Sequence, residues 1–347
     1  MLTLRTPEQM VPKSHPLRAI KDLADEALKA LSGLFDEMYA AGGRRSIPPE
    51  RLLKAMLLVA LYSIRSERLL CEQLHYNMLY RWFLDLGLDE EPFDHSSFTK
   101  NRDRLLAHDV AGEFFRAVVS EARKRKLMSA EHFSVDGTLI EAWASMKSFR
   151  PKGEDDDARD GNGWADFRGT KRSNETHESK TDPEAKLMRK GSGREAKLSY
   201  CLNAVMENRN ALLVAVQVDQ ATGFAEREGA LELLDRELAG NRRITLGADK
   251  NYDTRDFVRE CRRRRVTPHV AQNQHARRRS AIDGRTTARA GYALSSVRRR
   301  KIEGIFGWMK TTGNMRKTRY RGLNKTNLVA LMTGTAYNLL RIARLVG

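Results

Sequence analysis

An all-α N-terminal domain followed by an α/β domain built on a mixed sheet is the fold this sequence predicts. Two observations carry that expectation. Apolar residues recur at helical spacing from Pro16 to about Ala130, and alternation with period two begins at His132. The length of 347 residues is more than one core usually serves, so the change of period also suggests the division, into 1–128 and 129–347.

The elements follow in order. Leu17, Ile20, Leu23, Ala27, Leu28, Leu31, Leu34 and Phe35 form one helical stripe. Ser46-Ile-Pro-Pro-Glu50 opens the next helix, with proline in its first turn. Further helices are expected over 66–77, 79–86, 95–105 and 109–125, and no strand-like alternation interrupts them. Beyond them His132–Asp136 alternates as a strand, and so do Lys197–Val205 and Leu212–Val218, joined by a turn at Glu207-Asn-Arg-Asn210. Phe224–Leu238 is an amphipathic helix, Ile244–Asp249 a short strand, Thr254–Arg264 a helix and Val266–Ala271 a last strand. Helices close the chain at about 296–311 and 325–345. Three antiparallel strands followed by alternating helix and strand is the order of a ribonuclease H-like sheet. Arg150–Gly193 has little apolar content, with Glu154-Asp-Asp-Asp157 and Gly161-Asn-Gly163 inside it, and reads as a long, partly disordered loop.

Composition narrows the partners. Lys and Arg number 62 against 45 Asp and Glu, a formal charge of +17 that attracts polyanions and gains from counterion release on nucleic acid. Cys71, Cys201 and Cys261 lie far apart with no CxxC pair, which argues against a zinc ribbon or a disulfide framework and fits a reducing cytoplasm. The richest apolar run, Leu52–Tyr62, carries Lys54 and is too short for a membrane span. With no signal-peptide pattern at the N-terminus, the expectation is a cytoplasmic, nucleoid-associated protein.

Among so many acidic residues, only context can single out a site. Asp136 ends its expected strand on the face of His132 and Ser134, opposite Phe133 and Val135; the Asp-Gly pair could equally make a turn. Asp249 ends Ile244-Thr-Leu-Gly-Ala-Asp on the face of Thr245 and Gly247, where small side chains leave room for a metal or a phosphate. Asp253, Thr254 and Asp256 are better placed to cap the following helix, so Asp253 is assigned to structure. Glu303 lies in a helix whose apolar stripe is Ile302, Ile305, Phe306 and Met309. At ~100° per residue, Arg299, Glu303 and Lys310 fall within about 40° of one another beside that stripe. An i,i+4 ion pair of Arg299 with Glu303 is the bland account. It leaves Gly304 and Gly307 unexplained, since glycines weaken a helix and would admit another backbone or DNA. Three carboxylates suit phosphodiester cleavage, where two divalent ions about 3.5–4 Å apart stabilise the attacking and leaving oxygens.

At these residues the sequence resembles the DDE transposases of bacterial insertion sequences, specifically the insertion sequence 5 family. The matching stretches are Ser134-Val-Asp-Gly-Thr138, Thr176-His-Glu-Ser-Lys-Thr-Asp-Pro183, Arg189-Lys-Gly191, Gly247-Ala-Asp-Lys250 with Tyr252-Asp253, Ile282-Asp-Gly-Arg-Thr-Thr287, Arg299–Lys310 and Arg319-Tyr-Arg-Gly322. The block Ile47–Leu105, with Phe98-Thr-Lys-Asn-Arg102, looks like the family's N-terminal domain. The resemblance implies a ribonuclease H-like fold in which Asp136, Asp249 and Glu303 hold two Mg²⁺ or Mn²⁺ ions. It implies hydrolysis at the element's ends, then attack of the freed 3′-hydroxyl on target DNA. Arg299 and Lys310 match the family's basic positions around the glutamate, and Arg298, Arg300, Arg319, Arg321, Lys100 and Arg102 are further expected DNA contacts. Where the family places a tyrosine three residues before that arginine, this chain has Ser296, and Tyr292 is out of register. The partners implied are terminal inverted repeats and target DNA, met by a homodimer or a higher assembly, with no membrane. The N-terminal helices would recognise the repeats, through a helix-turn-helix-like unit ending in Ser96–Arg104, or else dimerise. Two rivals remain: a metal-dependent nuclease of the same fold, and a non-catalytic repressor derived from a transposase.

Overall fold

The structure, a computed structural model, describes residues 6–38, 47–153, 172–191, 193–240, 242–274 and 279–347. Its helical first part comprises α1 (Pro7–Met10), α2 (Leu17–Lys29), α3 (Ser32–Met38), α4 (Pro49–Leu61), α5 (Glu67–Gln73), α6 (Met78–Phe83), α7 (His95–Ala107) and α8 (Val110–Lys124). Local chemistry sets several starts. Ser66, Asn77 and Asp94 each accept a backbone N–H at the head of α5, α6 and α7, satisfying donors a helix cannot pair internally.

The second part holds β1 (His132–Glu141), β2 (Phe149–Pro151), β3 (His177–Ser179), β4 (Lys186–Arg189), β5 (Ala196–Glu207), β6 (Leu213–Gln220), α9 (Ala225–Glu237), β7 (Ile244–Ala248), α10 (Arg255–Arg263), β8 (Val266–Val270), α11 (Gly284–Thr287), α12 (Ala290–Arg298), α13 (Lys301–Thr311) and α14 (Leu323–Val346). In the main sheet β5 pairs antiparallel with both β1 and β6, while β1, β7 and β8 run parallel. β4 adds to the first residues of β5. That is the ribonuclease H-like arrangement, with β1 at its centre.

Three expectations need correcting. Asp136-Gly137 is no turn: β1 runs on to Glu141, because β5 offers partners all the way from Glu207 to Ser199. The expected helix over 296–311 is two helices, α12 and α13, meeting at Arg299-Arg300. Part of 150–193 is ordered, since β2 pairs with β3 and β4 joins the sheet, and Tyr200 donates to the buried Asp182 at 2.7 Å. The acidic run Glu154-Asp-Asp-Asp157 and Gly161-Asn-Gly163 lie outside the described residues.

Nor do the first helices keep a core of their own. Leu23, Leu52, Leu57, Phe98 and Phe114 belong to one continuous core with Leu202 and Met206 of β5, Ile305 of α13, and Leu328 and Leu339 of α14. α14 is the shared element: a Cβ at its Gly334 would lie 3.2 Å from Phe115 of α8 and 3.2 Å from Val216 of β6. Asn338 of α14 accepts from the Leu213 N–H and donates to its carbonyl, and Asn327 accepts from the Val218 N–H. These bonds satisfy the free edge of β6, which would otherwise invite another strand. A second core, on the opposite face of the sheet, joins Phe133, Val135 and Val205 to Leu233 of α9 and Phe257 of α10. Among the described residues no helix is long and apolar enough to cross a membrane.

Candidate active site

The site starts from strand register. β1 and β7 pair in parallel with His132 opposite Thr245 and Ser134 opposite Gly247. Side chains alternate across a strand, so these pairs share a face, and His132 Nδ1 lies 2.9 Å from Thr245 Oγ1. Two residues further on the same face, Asp136 comes level with Asp249 just as β7 ends at Ala248. Gly247 keeps this face narrow, because a Cβ there would lie 2.9 Å from Ser134 Oγ and 3.7 Å from the Arg299 side chain.

Asp136 feels both its burial and its neighbour. Burial raises Asp136 most, the charge of Asp249 adds to it, and Glu226 adds less, against the Gly137 N–H and Arg299; the result is a carboxyl pushed up to about 7. Asp249 Oδ1 also accepts the Asn251 N–H at 2.7 Å, which fixes the turn leaving β7.

α12 and α13 lay cations over this face. Ser295 of α12 contacts His269 of β8 at 2.7 Å, and Tyr292 donates to the Val270 carbonyl at 2.9 Å. That anchoring brings Arg299 against Gly247 and beside Asp136, with its Nε buried and unbonded. Eleven residues on, Lys310 Nζ donates to Thr138 Oγ1 at 2.6 Å. Thr138 is on the face of Asp136, so α13 runs along β1 with Glu303 between its two cations. Burial, then Lys190 and Arg316, lower the Lys310 ammonium to about 8.

Glu303 itself is exposed and makes no ion pair with Arg299 among the described residues, so the bland account of the motif is absent here. A Cβ on Gly304 or Gly307 would meet nothing within 4 Å: no other backbone approaches them, and the space they leave is open. As the side chains stand, no three described His, Cys, Asp or Glu residues are gathered closely enough to hold a metal ion. The donor chemistry nevertheless suits a hard divalent cation, being carboxylate oxygen throughout, with the charge of Asp249 close enough to hinder ionisation of Asp136.

The remaining expected contacts divide. Lys100, Arg298, Arg300 and Arg321 are exposed. Arg102 is not available to DNA: it is 5% exposed, paired with Glu67 and Asp103, and lies over the Tyr320 ring. Arg319 is half-buried and donates to the Ile64 carbonyl at 2.9 Å. Both tie the first helices to the segment before α14. Ser296 bonds back to the Tyr292 carbonyl, and the Tyr292 hydroxyl is engaged with β8, so neither supplies a tyrosine at the site. Reading the sequence missed Glu226, which no motif marks, and did not assign Lys190 a place, although it lies in the Arg189-Lys-Gly191 stretch.

Level aspartates on adjoining strands of this sheet, beneath a helix bearing arginine and lysine, are the marks of an enzyme that processes nucleic-acid phosphodiesters. Residues 5–104 match the family described as Transposase domain (DUF772), and residues 254–343 match the Transposase DDE domain, which includes Glu303. The chain belongs to the DDE transposases, metal-dependent enzymes of DNA strand cleavage and transfer. No curated protein matches it in sequence. Among solved structures it is similar to a piggyBac transposase synaptic complex with hairpin DNA, at 8% identity and a TM-score of 0.41, covering 94% of this chain and 75% of that one. It is also similar to a Mos1 transposase paired-end complex, at 11% identity and a TM-score of 0.20, covering 70% of this chain and 64% of that one.

Proposed function

We infer that this transposase belongs to the insertion sequence 5 family, cuts its own element's terminal inverted repeats and joins them to target DNA. The observation that carries the assignment is the level placement of Asp136 and Asp249 where β7 leaves β1. Asp136, Asp249 and Glu303 would hold two Mg²⁺ or Mn²⁺ ions, with Glu303 turning in from α13. When bound, such ions stabilise charge on the attacking and leaving oxygens of an in-line displacement.

The chain's own residues do the rest. Arg299 and Lys310 hold the scissile phosphate from either side of Glu303, and charge fixed in a partly dried site acts strongly on a transferring phosphoryl group. Lys310, drawn down to about 8, is charged at neutral pH and donates a hydrogen bond that Thr138 aims. Arg298, Arg300 and Arg321 contact flanking phosphates, which positions DNA without reading sequence. Lys100, on α7, serves the end-recognition surface. The protein acts on nucleoid DNA in the cytoplasm, as a dimer or higher assembly that brings two ends together.

Asp136→Asn, Asp249→Asn and Glu303→Gln keep side-chain shape and remove the charge. Each should abolish cleavage and strand transfer on labelled repeat-end DNA while leaving end binding measurable. Full cleavage by any one of them removes that residue from the set.

A further inference from the structure

We propose that Glu226 is a fourth carboxylate of the metal centre, reaching Asp136 and Asp249 from the opposite side of β1. The proposal rests on the assignment of those two aspartates made above. It concerns a residue from another element, in the first turn of α9, which packs on the face away from α13.

The geometry begins at Gly137. A Cβ there would point to the α9 side and lie 2.6 Å from Glu226 Cγ and 3.2 Å from its carboxyl carbon. The Glu226 side chain therefore lies flat on bare backbone, one residue from Asp136. Only glycine leaves that space. β7 has already ended at this level, so β1 has no neighbour on that side to wall off Asp136 and Asp249 from α9. Gly229, a turn further along α9, allows the same close seat: a Cβ on it would lie 2.2 Å from the Asn203 amide nitrogen. Asn203 in turn donates to the Ala225 carbonyl at 3.1 Å and to Asp219 at 2.7 Å, which locks the start of α9 against the sheet.

Glu226 has no hydrogen bond or ion pair among the described residues, although it is half-buried. Its burial and, after that, the charge of Asp249 raise its proton affinity. A carboxylate held this way, without a partner, is what an acid awaiting a cation looks like. Three rotatable side-chain bonds, restrained by no hydrogen bond, let it swing toward Asp136.

An independent observation points into the same space. Tyr252, the last residue of the short turn that Asp249 caps, is 0% exposed and its hydroxyl has no hydrogen-bond partner. Buried polar groups are nearly always paired. This hydroxyl lies within electrostatic reach of Asp136, Glu226 and Asp249 together. A phenol O–H among three acids is placed to donate to whichever carboxylate oxygen is turned toward it.

The competing account is that Glu226 only favours the N-terminus of α9 electrostatically, as any acid in a first turn does. Mn²⁺ binding to the full-length chain without DNA, by calorimetry, and thermal unfolding with and without Mn²⁺ separate the two. Glu226→Gln should raise the metal-free melting temperature, by relieving repulsion, and weaken Mn²⁺ binding at least tenfold. Glu226→Asp keeps the charge at the helix start but shortens the arm, and should also weaken binding; the exposed Glu228→Gln should not. If Glu226→Gln and Glu226→Asp both bind Mn²⁺ within twofold of the parent while Asp136→Asn and Asp249→Asn do not, the fourth carboxylate is wrong and the aspartate pair stands. Parental binding by Asp136→Asn and Asp249→Asn, or no binding by the parent, overturns the metal site itself.

Discussion

Arg102 is buried and Arg299 half-buried, yet the protein treats their charges in opposite ways. Arg102, in the helical first part, is surrounded: Glu67 and Asp103 pair with it, the Tyr320 ring lies under it, and the Tyr320 hydroxyl donates to the same Glu67 at 2.8 Å. The Arg299 side chain has no ion pair or hydrogen bond among the described residues, and its Nε is buried without a partner. Two lysines repeat the contrast. Lys54, 3% exposed, is held between Asp25 and Asp85, whereas Lys310 bonds a threonine hydroxyl and feels Lys190 and Arg316 more than the acid Glu141. Away from the site, the charges of Arg102 and Lys54 are neutralised by acids, and the buried Arg81 is met by the Leu74, Gly87 and Glu90 carbonyls. Over the carboxylate pair, Arg299 and Lys310 have no acid partner among the described residues, as the proposed phosphate clamp requires. A surplus of +17 says that anions are wanted, and the unpaired members say where.

The contrast can be broken from either side. Glu67→Ala strips a buried acid from Arg102, Tyr320 and Thr99 at once, and removing one partner of a buried pair costs about 3–5 kcal/mol. Denaturant unfolding should show that loss, and a change under ~0.5 kcal/mol would mean that Arg102 is as free as Arg299. At the site, Arg299→Ala and Lys310→Met should leave the melting temperature unchanged or slightly higher, because each removes an uncompensated cation. Their cleavage rates should fall roughly 10²–10³-fold, the scale of losing one preorganised electrostatic contact. Parental rates in both variants would end the phosphate-clamp role.

The smallest effect lies in pH dependence. The folded-state ammonium of Lys310 sits near 8, below its ordinary value of 10.5. Its charge is therefore complete below about pH 8 and lost as pH rises through it. The sign for stability is the reverse: between about 8 and 10.5 the unfolded chain binds the proton that the folded one has shed, so stability gains with pH over that window. Cleavage should thus decline above pH 8 in the parent and decline less in Lys310→Arg, whose guanidinium stays charged. Superimposable profiles from pH 7 to 9.5 would remove Lys310 from the rate.

Much of this was legible before folding, and the reason is periodicity. Alternation alone put Asp136 with Ser134 and Asp249 with Gly247, and a shared parallel register then brings the two acids level. Helical arithmetic put Arg299, Glu303 and Lys310 on one side; in the structure Lys310 reaches Thr138 of β1, while Arg299 stands at the junction before α13 and Glu303 is exposed. What stayed hidden depends on neighbours that no local pattern names. Gly137 looked like half of a turn because its antiparallel partner Asn203 lies 66 positions away. Arg102 looked like a DNA contact because Glu67 and Tyr320 reach it only through the tertiary fold. Glu226 carries no motif, and its meaning comes from a missing side chain on another element.

The seat of α14 beneath the first helices has a consequence in time. The ribosome makes α2, α4 and α7 early, but the surface that buries them, around Leu328, Gly334 and Leu339, emerges more than 200 residues later. Contacts so distant along the chain form slowly and leave apolar faces exposed meanwhile. An interrupted translation product would hold both aspartates and Glu303 but no closed core, and would be fodder for proteases rather than a half-active enzyme. Cooperative folding is thus tied to finishing synthesis.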